Sequence, residues 1–172
     1  MALILFIGKN SSGKSIYAEK LISTMGNEKR YYIATMIPSD EPGFKRVERH
    51  RAQREGLGFE TIEIPYGFEA LTLDENSNVL LEDVSNLLAN IIFEKKETSD
   101  SVLREIEILR KKCQTLVVIT ISGLVDGDYD EETNAYVSTM NALNEQLVEL
   151  ADTVYEMKDG EPILTKGATP CA

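Results

Sequence analysis

The stretch GKNSSGKS, residues 8–15, decides the fold, because it directly follows the apolar run ALILFI at residues 2–7. It matches the pattern G-x-x-x-x-G-K-S/T, in which a glycine-rich loop between a strand and a helix wraps its backbone N–H groups round a phosphate. The apolar run predicts a buried parallel strand, and residues 15–25 have apolar side chains at helical spacing. Strand and helix therefore flank the loop as required, and the stretch predicts a nucleoside-triphosphate site.

The loop residues have separate expected roles. We expect the N–H groups of residues 9–15 to bind phosphate and the two glycines to permit its close approach. Lys14 should reach the β- and γ-phosphates and assist catalysis, while the Ser15 hydroxyl should ligate Mg²⁺. The predicted nucleotide-binding residues of the loop are Gly8, Lys9, Asn10, Ser11, Ser12, Gly13, Lys14 and Ser15.

Strand and helix patterns alternate along the rest of the chain. The predicted strands cover residues 2–7, 31–35, 59–64, 78–82 and 115–122. The predicted helices cover 15–25, 39 or 40 to about 55, 84–95, about 99–112 and 131–151. Two more strands, 152–157 and 162–166, flank a Lys-Asp-Gly hairpin turn. This order predicts one α/β domain over residues 1–172, with a mainly parallel sheet, helices on both faces and a C-terminal antiparallel hairpin.

Composition narrows the classes of function. The net charge of −11 argues against broad binding to nucleic acid or anionic membranes and favours small-molecule partners. The apolar run at residues 2–7 is too short for a signal peptide or a membrane span, so we expect a cytoplasmic protein without membrane insertion. Cys113 and Cys171 lack the spacing of a metal or redox motif, and we expect both to be reduced thiols.

A carboxylate at the end of a neighbouring strand usually completes the magnesium site of such a loop. Glu82 and Asp83 directly follow the apolar residues 79–81 and are the candidates, together with Ser15. Asp83 also lies where a helix N-cap is expected, and capping is compatible with a contact to metal or nucleotide.

The segment KRVERHRAQR, residues 45–54, contains five of the 18 Lys and Arg residues and the only histidine of this acidic chain. On a helix, Arg46, His50 and Arg54 lie four residues apart and share one face. Two guanidinium groups would disfavour protonation of the imidazole, and a neutral imidazole is what a nucleophile requires. The same groups would bind nucleotide phosphates. A solvated basic helix face with an incidental histidine is the alternative.

Taken in order, blocks along almost the whole chain resemble the bifunctional adenosylcobinamide kinase / adenosylcobinamide-phosphate guanylyltransferase family of cobalamin biosynthesis. The blocks are GKNSSGKS, YYIAT (31–35), the helix with Arg46, Val47, His50 and Arg54, FETIEIP (59–65), NVLLEDVSNLLANIIF (78–93), TLVVITIS (115–122) and NEQLVELADTV (144–154). Many families share the loop, whereas YIAT, R-x-x-x-H-x-x-x-R and LLED in combination are far more specific.

The resemblance implies a RecA-like P-loop domain that carries out two reactions with Mg²⁺. GTP, with ATP as the alternative, would phosphorylate the aminopropanol hydroxyl of adenosylcobinamide. A histidine, by position His50, would then attack the α-phosphate of GTP, carry GMP as a phosphoramidate and pass it to adenosylcobinamide phosphate. The matching blocks extend the predicted nucleotide-binding set with Thr35, Arg46, Arg54, Glu63 and Glu82. The family also implies a homotrimer.

The chain departs from the family pattern after residue 120. The expected Asn-Glu-Val-Gly segment reads ISGLVDG over residues 121–127, without the glutamate, and the stretch DGDYDEET at 126–133 is strongly acidic. An Arg-Asp pair is replaced by Val137 and Ser138, while Asn144 is kept. Two alternatives therefore stand beside the bifunctional enzyme: a P-loop kinase of another small molecule, and a non-catalytic nucleotide-binding protein.

Overall fold

Seven strands form a single sheet in the computed structural model, which describes residues 1–26 and 29–169. The strands are β1 (Ala2–Gly8), β2 (Arg30–Ala34), β3 (Phe59–Glu63), β4 (Asn78–Glu82), β5 (Thr115–Ile121), β6 (Thr153–Lys158) and β7 (Glu161–Lys166). Their order is β3-β2-β4-β5-β1-β6-β7, and every neighbouring pair is parallel except β6 and β7. The predicted α/β fold, with a mainly parallel sheet and a C-terminal hairpin, is confirmed.

Within the described part of the chain, five α-helices connect the strands, and their bounds differ from the predicted ones mainly at the ends. They are α1 (Lys14–Ser23), α2 (Glu41–Gln53), α3 (Val84–Ala89), α4 (Asp100–Arg110) and α5 (Glu131–Leu150). The predicted helix 84–95 is α3 followed by a π-helical turn at Asn90–Glu94, and a 3₁₀ turn at Phe68–Ala70 was not predicted. The pair Gly26-Asn27 predicts the end of the helix over 15–25, and Asn27 lies outside the described residues.

The sheet separates two apolar cores. On one face, α3, α4 and α5 cover a core that includes Leu3 and Leu5 of β1. On the other face, α1 packs Ala18 and Ile22 against a core that includes Ile4. Successive residues of β1 therefore point to opposite faces, and burial on both faces explains why its apolar run is continuous. Helices cover both faces, as predicted.

The topology brings the candidate site residues to one edge of the sheet. The carboxyl ends of the parallel strands share that edge, where ligands of open α/β sheets bind. The phosphate loop follows β1 there, and Glu82 ends β4 two strands away. The N-cap Asp40 accepts a hydrogen bond from the N–H of Gly43, the only residue that α2 buries. Helix α2 is thus attached to the rest of the protein mainly through polar side chains.

Two sequence expectations concern other parts of the chain. No helix in residues 1–26 and 29–169 combines the length and the apolar character needed to cross a bilayer. Cys113 is free and buried, and burial raises the pKa of its thiol to about 12, as fits an unreactive reduced cysteine. Cys171 lies outside the described residues.

Candidate active site

A cavity of about 620 Å³ lies between the phosphate loop and α2. Its volume falls in the range of small-molecule sites. The predicted site residues that line it are Asn10, Ser11, Ser12, Gly13, Lys14, Ser15, Arg46, His50, Arg54, Glu63, Glu82 and Asp83. Residues distant in sequence therefore meet at this edge of the sheet, and the phosphate loop faces the histidine helix.

The phosphate loop has the backbone shape that its glycines predict. Gly13 has a φ of 87°, in the left-handed region that favours glycine, and Ser11 also has a positive φ of 56°. Gly8 is fixed by packing, because a Cβ atom there would lie 2.7 Å from the Cβ of Met157. The loop is therefore a tight turn whose two glycines are needed for different reasons.

The Lys14 side chain folds back into this loop. Its Nζ donates hydrogen bonds to the carbonyl oxygens of Gly8, at 3.0 Å, and Lys9, at 2.6 Å. Burial lowers the pKa of Lys14, while the nearby carboxylates of Asp83 and Glu82 act in the opposite direction. The amine is thus held by neutral carbonyls, which a triphosphate could replace with stronger, charge-assisted hydrogen bonds.

Glu82 links the loop, the sheet and α2 through one carboxylate. Ser15 Oγ donates to its Oε1 at 2.7 Å, and the Tyr32 hydroxyl donates to its Oε2 at 2.7 Å. His50 Nδ1 lies 3.5 Å from the same Oε1. The sequence predicted Glu82 and Ser15 as partners but missed both the tyrosine and the contact with the histidine.

The oxygens at this point suit a magnesium ion. Ser15 Oγ and Glu82 Oε1 are adjacent, and Mg²⁺ prefers such oxygen ligands. Asp83 caps α3, since its Oδ1 accepts from Ser85 Oγ and Asn86 N, which leaves Oδ2 for a ligand. Among the described residues, no group of three or more His, Cys, Asp or Glu side chains is arranged so that it could hold a metal ion. A magnesium ion here would need water and phosphate oxygens as well, as is usual for this ion.

The three residues of the predicted stripe on α2 all face the cavity, but their environments differ. Arg46 is exposed, His50 is partly buried and Arg54 is buried. The charged group that contacts the imidazole is the Glu82 carboxylate. The prediction from the sequence considered only the two arginines beside the ring and did not include this carboxylate.

Arg54 is 6% exposed and only partly hydrogen-bonded. Its guanidinium lies 3.3 Å from the centroid of the Tyr32 ring, and its Nη2 donates to Thr61 Oγ1 at 3.2 Å. Nε and Nη1 are buried and have no hydrogen-bond partner among the described residues. Because buried unpaired donors cost free energy, Arg54 has unused capacity for an anion in the cavity it lines.

A carboxyl group that the sequence did not single out for function lies between α1 and α2. Glu19 is 1% exposed, and its Oε2 accepts a hydrogen bond from Gln53 Nε2 at 2.7 Å. Burial raises its pKa to about 7. The available signal was its position four residues after Ser15, on the same face of α1. This contact joins the loop helix to the C-terminal end of the histidine helix.

Three predicted nucleotide-binding residues, Gly8, Lys9 and Thr35, do not line the cavity, and Glu63 lines it from an exposed position. Thr35 is fully buried, and its hydroxyl bonds the carbonyl oxygens of Glu82 and Asp83, so it supports the end of β4 instead of lining the cavity. Glu63 lines the cavity but is exposed and paired with Arg51. Lys9 is exposed and lies beside Gly123, outside the cavity.

The segment that departs from the family pattern does not line the cavity, but it contacts the phosphate loop, because the N–H of Ser122 donates to the carbonyl oxygen of Gly8 at 2.9 Å. None of residues 121–138, all of which the structure describes, is among the lining residues. Asn144 accepts from Thr120 Oγ1 at 2.6 Å and donates to the Ile121 carbonyl at 2.8 Å, so it fixes the end of β5. The departures therefore lie beside the phosphate loop, while none of them lines the cavity with Glu82 and His50.

Comparison with solved structures supports the fold. The chain is similar to the flagellar accessory protein FlaH of Methanocaldococcus jannaschii, with 12% identity, a TM-score of 0.50 and coverage of 96% of this chain and 78% of that one. It is similar to a type III secretion ATPase of pathogenic bacteria, with 9% identity, a TM-score of 0.57 and coverage of 92% and 51%. A further ATPase domain matches at 11% identity, with a TM-score of 0.55 and coverage of 96% and 77%. The fold is that of the RecA-like P-loop ATPases.

Sequence comparison identifies the family. No curated protein is similar enough in sequence to count as a match. The family model described as cobinamide kinase / cobinamide phosphate guanyltransferase, however, matches residues 4–164, which is almost the whole chain. The chain belongs to the cobinamide kinase / cobinamide phosphate guanyltransferase family.

Proposed function

We propose that this protein phosphorylates the aminopropanol hydroxyl of adenosylcobinamide and then transfers GMP from GTP to that phosphate through a His50–GMP intermediate. The observation that carries the proposal is the position of His50. Its imidazole lies 3.5 Å from Glu82, which in turn accepts a hydrogen bond from Ser15 of the phosphate loop. The histidine and the phosphate loop therefore border one cavity in a member of this family, which supports the proposal.

The kinase half relies on the loop. Its backbone N–H groups and Lys14 would bind the β- and γ-phosphates, while Ser15 and Glu82 would hold a magnesium ion that supplies positive charge to them. The acceptor hydroxyl oxygen attacks the γ-phosphorus, and the bond from that phosphorus to the bridging oxygen breaks. The nucleoside diphosphate leaves with the electron pair, and the hydroxyl proton passes to a base or to water.

The transferase half relies on α2. A nitrogen of His50 attacks the α-phosphorus of GTP, the bond to the oxygen bridging the β-phosphate breaks, and pyrophosphate leaves. A phosphate oxygen of the acceptor then attacks the same phosphorus, and the electron pair of the P–N bond returns to the ring. Arg46 and Arg54 border the same cavity and would bind the phosphates and stabilise the charge that develops on them.

Intact-mass spectrometry tests the transferase half directly. Incubation with GTP and Mg²⁺ should add the mass of one GMP, and adenosylcobinamide phosphate should then remove it. His50→Ala should bind GTP without any mass gain, while Arg104→Ala, on the exposed side of α4, should react like the wild type. A wild-type protein that never gains mass would contradict the histidine intermediate.

A second assay separates the two halves. Transfer of ³²P from the γ-position of GTP or ATP to adenosylcobinamide should proceed in His50→Ala, because His50 acts only in the second step. Phosphoryl transfer to another small alcohol, without any adduct, would instead favour a kinase of different specificity. Binding without any turnover would favour a non-catalytic protein. The comparison of GTP with ATP also identifies the phosphoryl donor.

The homotrimer expected from the family resemblance and the cytoplasmic location expected from the sequence are part of the same proposal. Light scattering coupled to size-exclusion chromatography would give the mass of the assembly. A monomer or dimer at micromolar concentration would contradict the trimer.

A further inference from the structure

Tyr32 has a position that the proposed mechanism does not use. It lies in the middle of β2, is 4% exposed and contacts two charged groups of the cavity. Its hydroxyl donates to Glu82 Oε2 at 2.7 Å, and its ring lies against the guanidinium of Arg54 at 3.3 Å. The tyrosine therefore connects the carboxylate beside His50 with the arginine one helical turn further along α2.

The hydrogen bonds of Glu82 are divided between its two oxygens. Tyr32 occupies Oε2, while Oε1 accepts from Ser15 and faces Nδ1 of His50 at 3.5 Å. Without the tyrosine hydroxyl, Oε2 would lose its only hydrogen-bond donor among the described residues, and the carboxylate could rotate. The tyrosine thus determines which carboxylate oxygen of Glu82 lies beside the imidazole.

The orientation of Glu82 determines which ring nitrogen is free to react. Nδ1 of His50 is buried and makes no hydrogen bond within the described part of the chain, and Oε1 of Glu82 lies 3.5 Å from it. In a neutral imidazole one nitrogen bears the proton and the other holds the lone pair. A carboxylate beside Nδ1 favours the proton there, which leaves the lone pair on Nε2.

The geometry points to Tyr32 as a positioning residue for guanylyl transfer. By holding Glu82 with Oε1 toward Nδ1, it keeps His50 in the Nδ1–H tautomer and presents Nε2 to the α-phosphorus. When the Nε2–P bond forms, the ring keeps its Nδ1 proton and becomes positive, and Glu82 stabilises that charge. Cleavage of the P–N bond by the acceptor phosphate returns the electron pair to Nε2 and restores the neutral ring.

The tautomer of His50 can be measured without any turnover. The chain has a single histidine, so protein labelled with ¹⁵N-histidine and freed of any tag gives one imidazole spin system. Long-range ¹H–¹⁵N correlations under alkaline conditions then distinguish the protonated nitrogen from the unprotonated one. The wild type should show mainly the Nδ1–H form, and Tyr32→Phe should shift the population toward the Nε2–H form.

Tyr31→Phe is the matched control. Tyr31 is the preceding residue of β2 and is equally buried, but its side chain packs in the core on the opposite face of the sheet. Its loss of a hydroxyl should leave the tautomer unchanged. Glu82→Gln keeps the shape of the carboxylate without its charge and should abolish the preference, which provides a second test if Tyr32→Phe folds poorly.

The kinetic consequence rests on the proposed function. Single-turnover formation of the GMP adduct should slow roughly tenfold to a hundredfold in Tyr32→Phe, as is typical when an orienting partner of a histidine is lost. The KM for GTP should stay within about twofold, because the phosphate loop is intact. A merely structural role would instead lower the fraction of active protein and leave the rate of that fraction unchanged.

The outcomes separate the two proposals. If the wild type forms no adduct, the proposed transferase function fails, while the tautomer measurement still tests the role of Tyr32. If Tyr32→Phe keeps the wild-type tautomer and the wild-type rate of adduct formation, the positioning role is wrong. It is equally wrong if the wild-type ring is already mainly Nε2–H.

Discussion

The two helices that border the cavity, α1 and α2, are attached to the protein in different ways. Helix α1 follows the phosphate loop and buries Lys14, Ala18, Glu19 and Ile22, so its inner face is part of the apolar core. Helix α2, although longer, buries only Gly43. The phosphate end of the site is thus built into the core, whereas the histidine end depends on a few polar contacts.

This difference has a physical consequence for mutations. Apolar packing distributes the attachment of α1 over many contacts, so no single polar contact should determine its position. Helix α2 is attached by Gln53 to Glu19, by Arg54 to Tyr32 and by Arg51 to Glu63. The loss of any one of these contacts should therefore allow α2, and His50 with it, to move.

The largest expected effect concerns the phosphate loop and α1, whose inner face is part of the apolar core. Lys14→Ala removes the cation that the loop supplies to the phosphates, and the rate of γ-phosphoryl transfer should fall about a hundredfold to a thousandfold. Steady-state transfer of labelled phosphate measures this loss. Lys20→Ala, an exposed lysine in the last turn of the same helix, should keep the wild-type rate. Equal rates of phosphoryl transfer in both variants would contradict the role proposed for Lys14.

The next prediction asks whether Arg54 binds the phosphates of the nucleotide or stabilises the fold. Arg54→Met should slow adduct formation roughly tenfold to a hundredfold, since charge-assisted hydrogen bonds to phosphate are lost. The free energy of unfolding should change by no more than about 1 kcal/mol, because a buried cation with unpaired donors contributes little net stability. Urea denaturation provides the second measurement, with Lys45→Met as the control on the exposed face of α2. A large loss of stability with normal adduct formation would assign Arg54 to structure.

A smaller effect concerns the contact between the two helices. The pKa of Glu19 is raised to about 7, so the folded protein binds this proton more tightly than the unfolded chain does. The stability that protonated Glu19 provides is complete below its usual pKa and is lost as the pH rises through about 7. In Glu19→Gln, stability relative to the wild type should rise from acidic to alkaline pH by about 1–2 kcal/mol, after allowance for screening by the nearby cavity. Urea unfolding at several pH values measures this difference in the free energy of unfolding. A difference that does not change with pH would contradict the burial of the Glu19 carboxylate.

The smallest effect concerns the start of α2. Asp40→Ala removes the N-cap hydrogen bond to the N–H of Gly43, which costs about 1 kcal/mol of helix stability. Amide hydrogen exchange in the first turns of α2 should accelerate roughly fivefold, while exchange in α1 should stay the same. Exchange that increases equally in both helices would show that they open as one unit, contrary to the comparison.

The same contrast explains what the sequence could predict. The phosphate loop is local: eight consecutive residues with a strand before and a helix after contain the whole signal. The strands and the C-terminal hairpin are local features too, and they were predicted correctly; of the two predicted starts of α2, residues 39 and 40, the structure has its N-cap at Asp40. Spacing alone also placed Arg46, His50 and Arg54 on one side of a helix.

The contacts of Glu82 could not be predicted in this way, because they depend on the order of the strands. Only the placement of β4 between β2 and β5 brings Tyr32, which is paired with Leu80, beside Glu82 two residues further along β4. Alternation in β2 requires Tyr31 and Tyr32 to point to opposite faces, but it does not say which face carries the site. The contact of Glu19 could not be predicted for a similar reason, since its burial depends on where α2 lies.

The central position of β1 also bears on how the protein is made. The N–H of Leu3 bonds the side chain of Asp152, 149 residues later, and β1 pairs with both β5 and β6. During synthesis, the strand that precedes the phosphate loop leaves the ribosome long before either neighbour exists, and contacts this distant in sequence form late. A nascent chain would therefore carry the complete loop sequence without a working nucleotide site until β6 has emerged, so nucleotide cannot assist the early stages of folding.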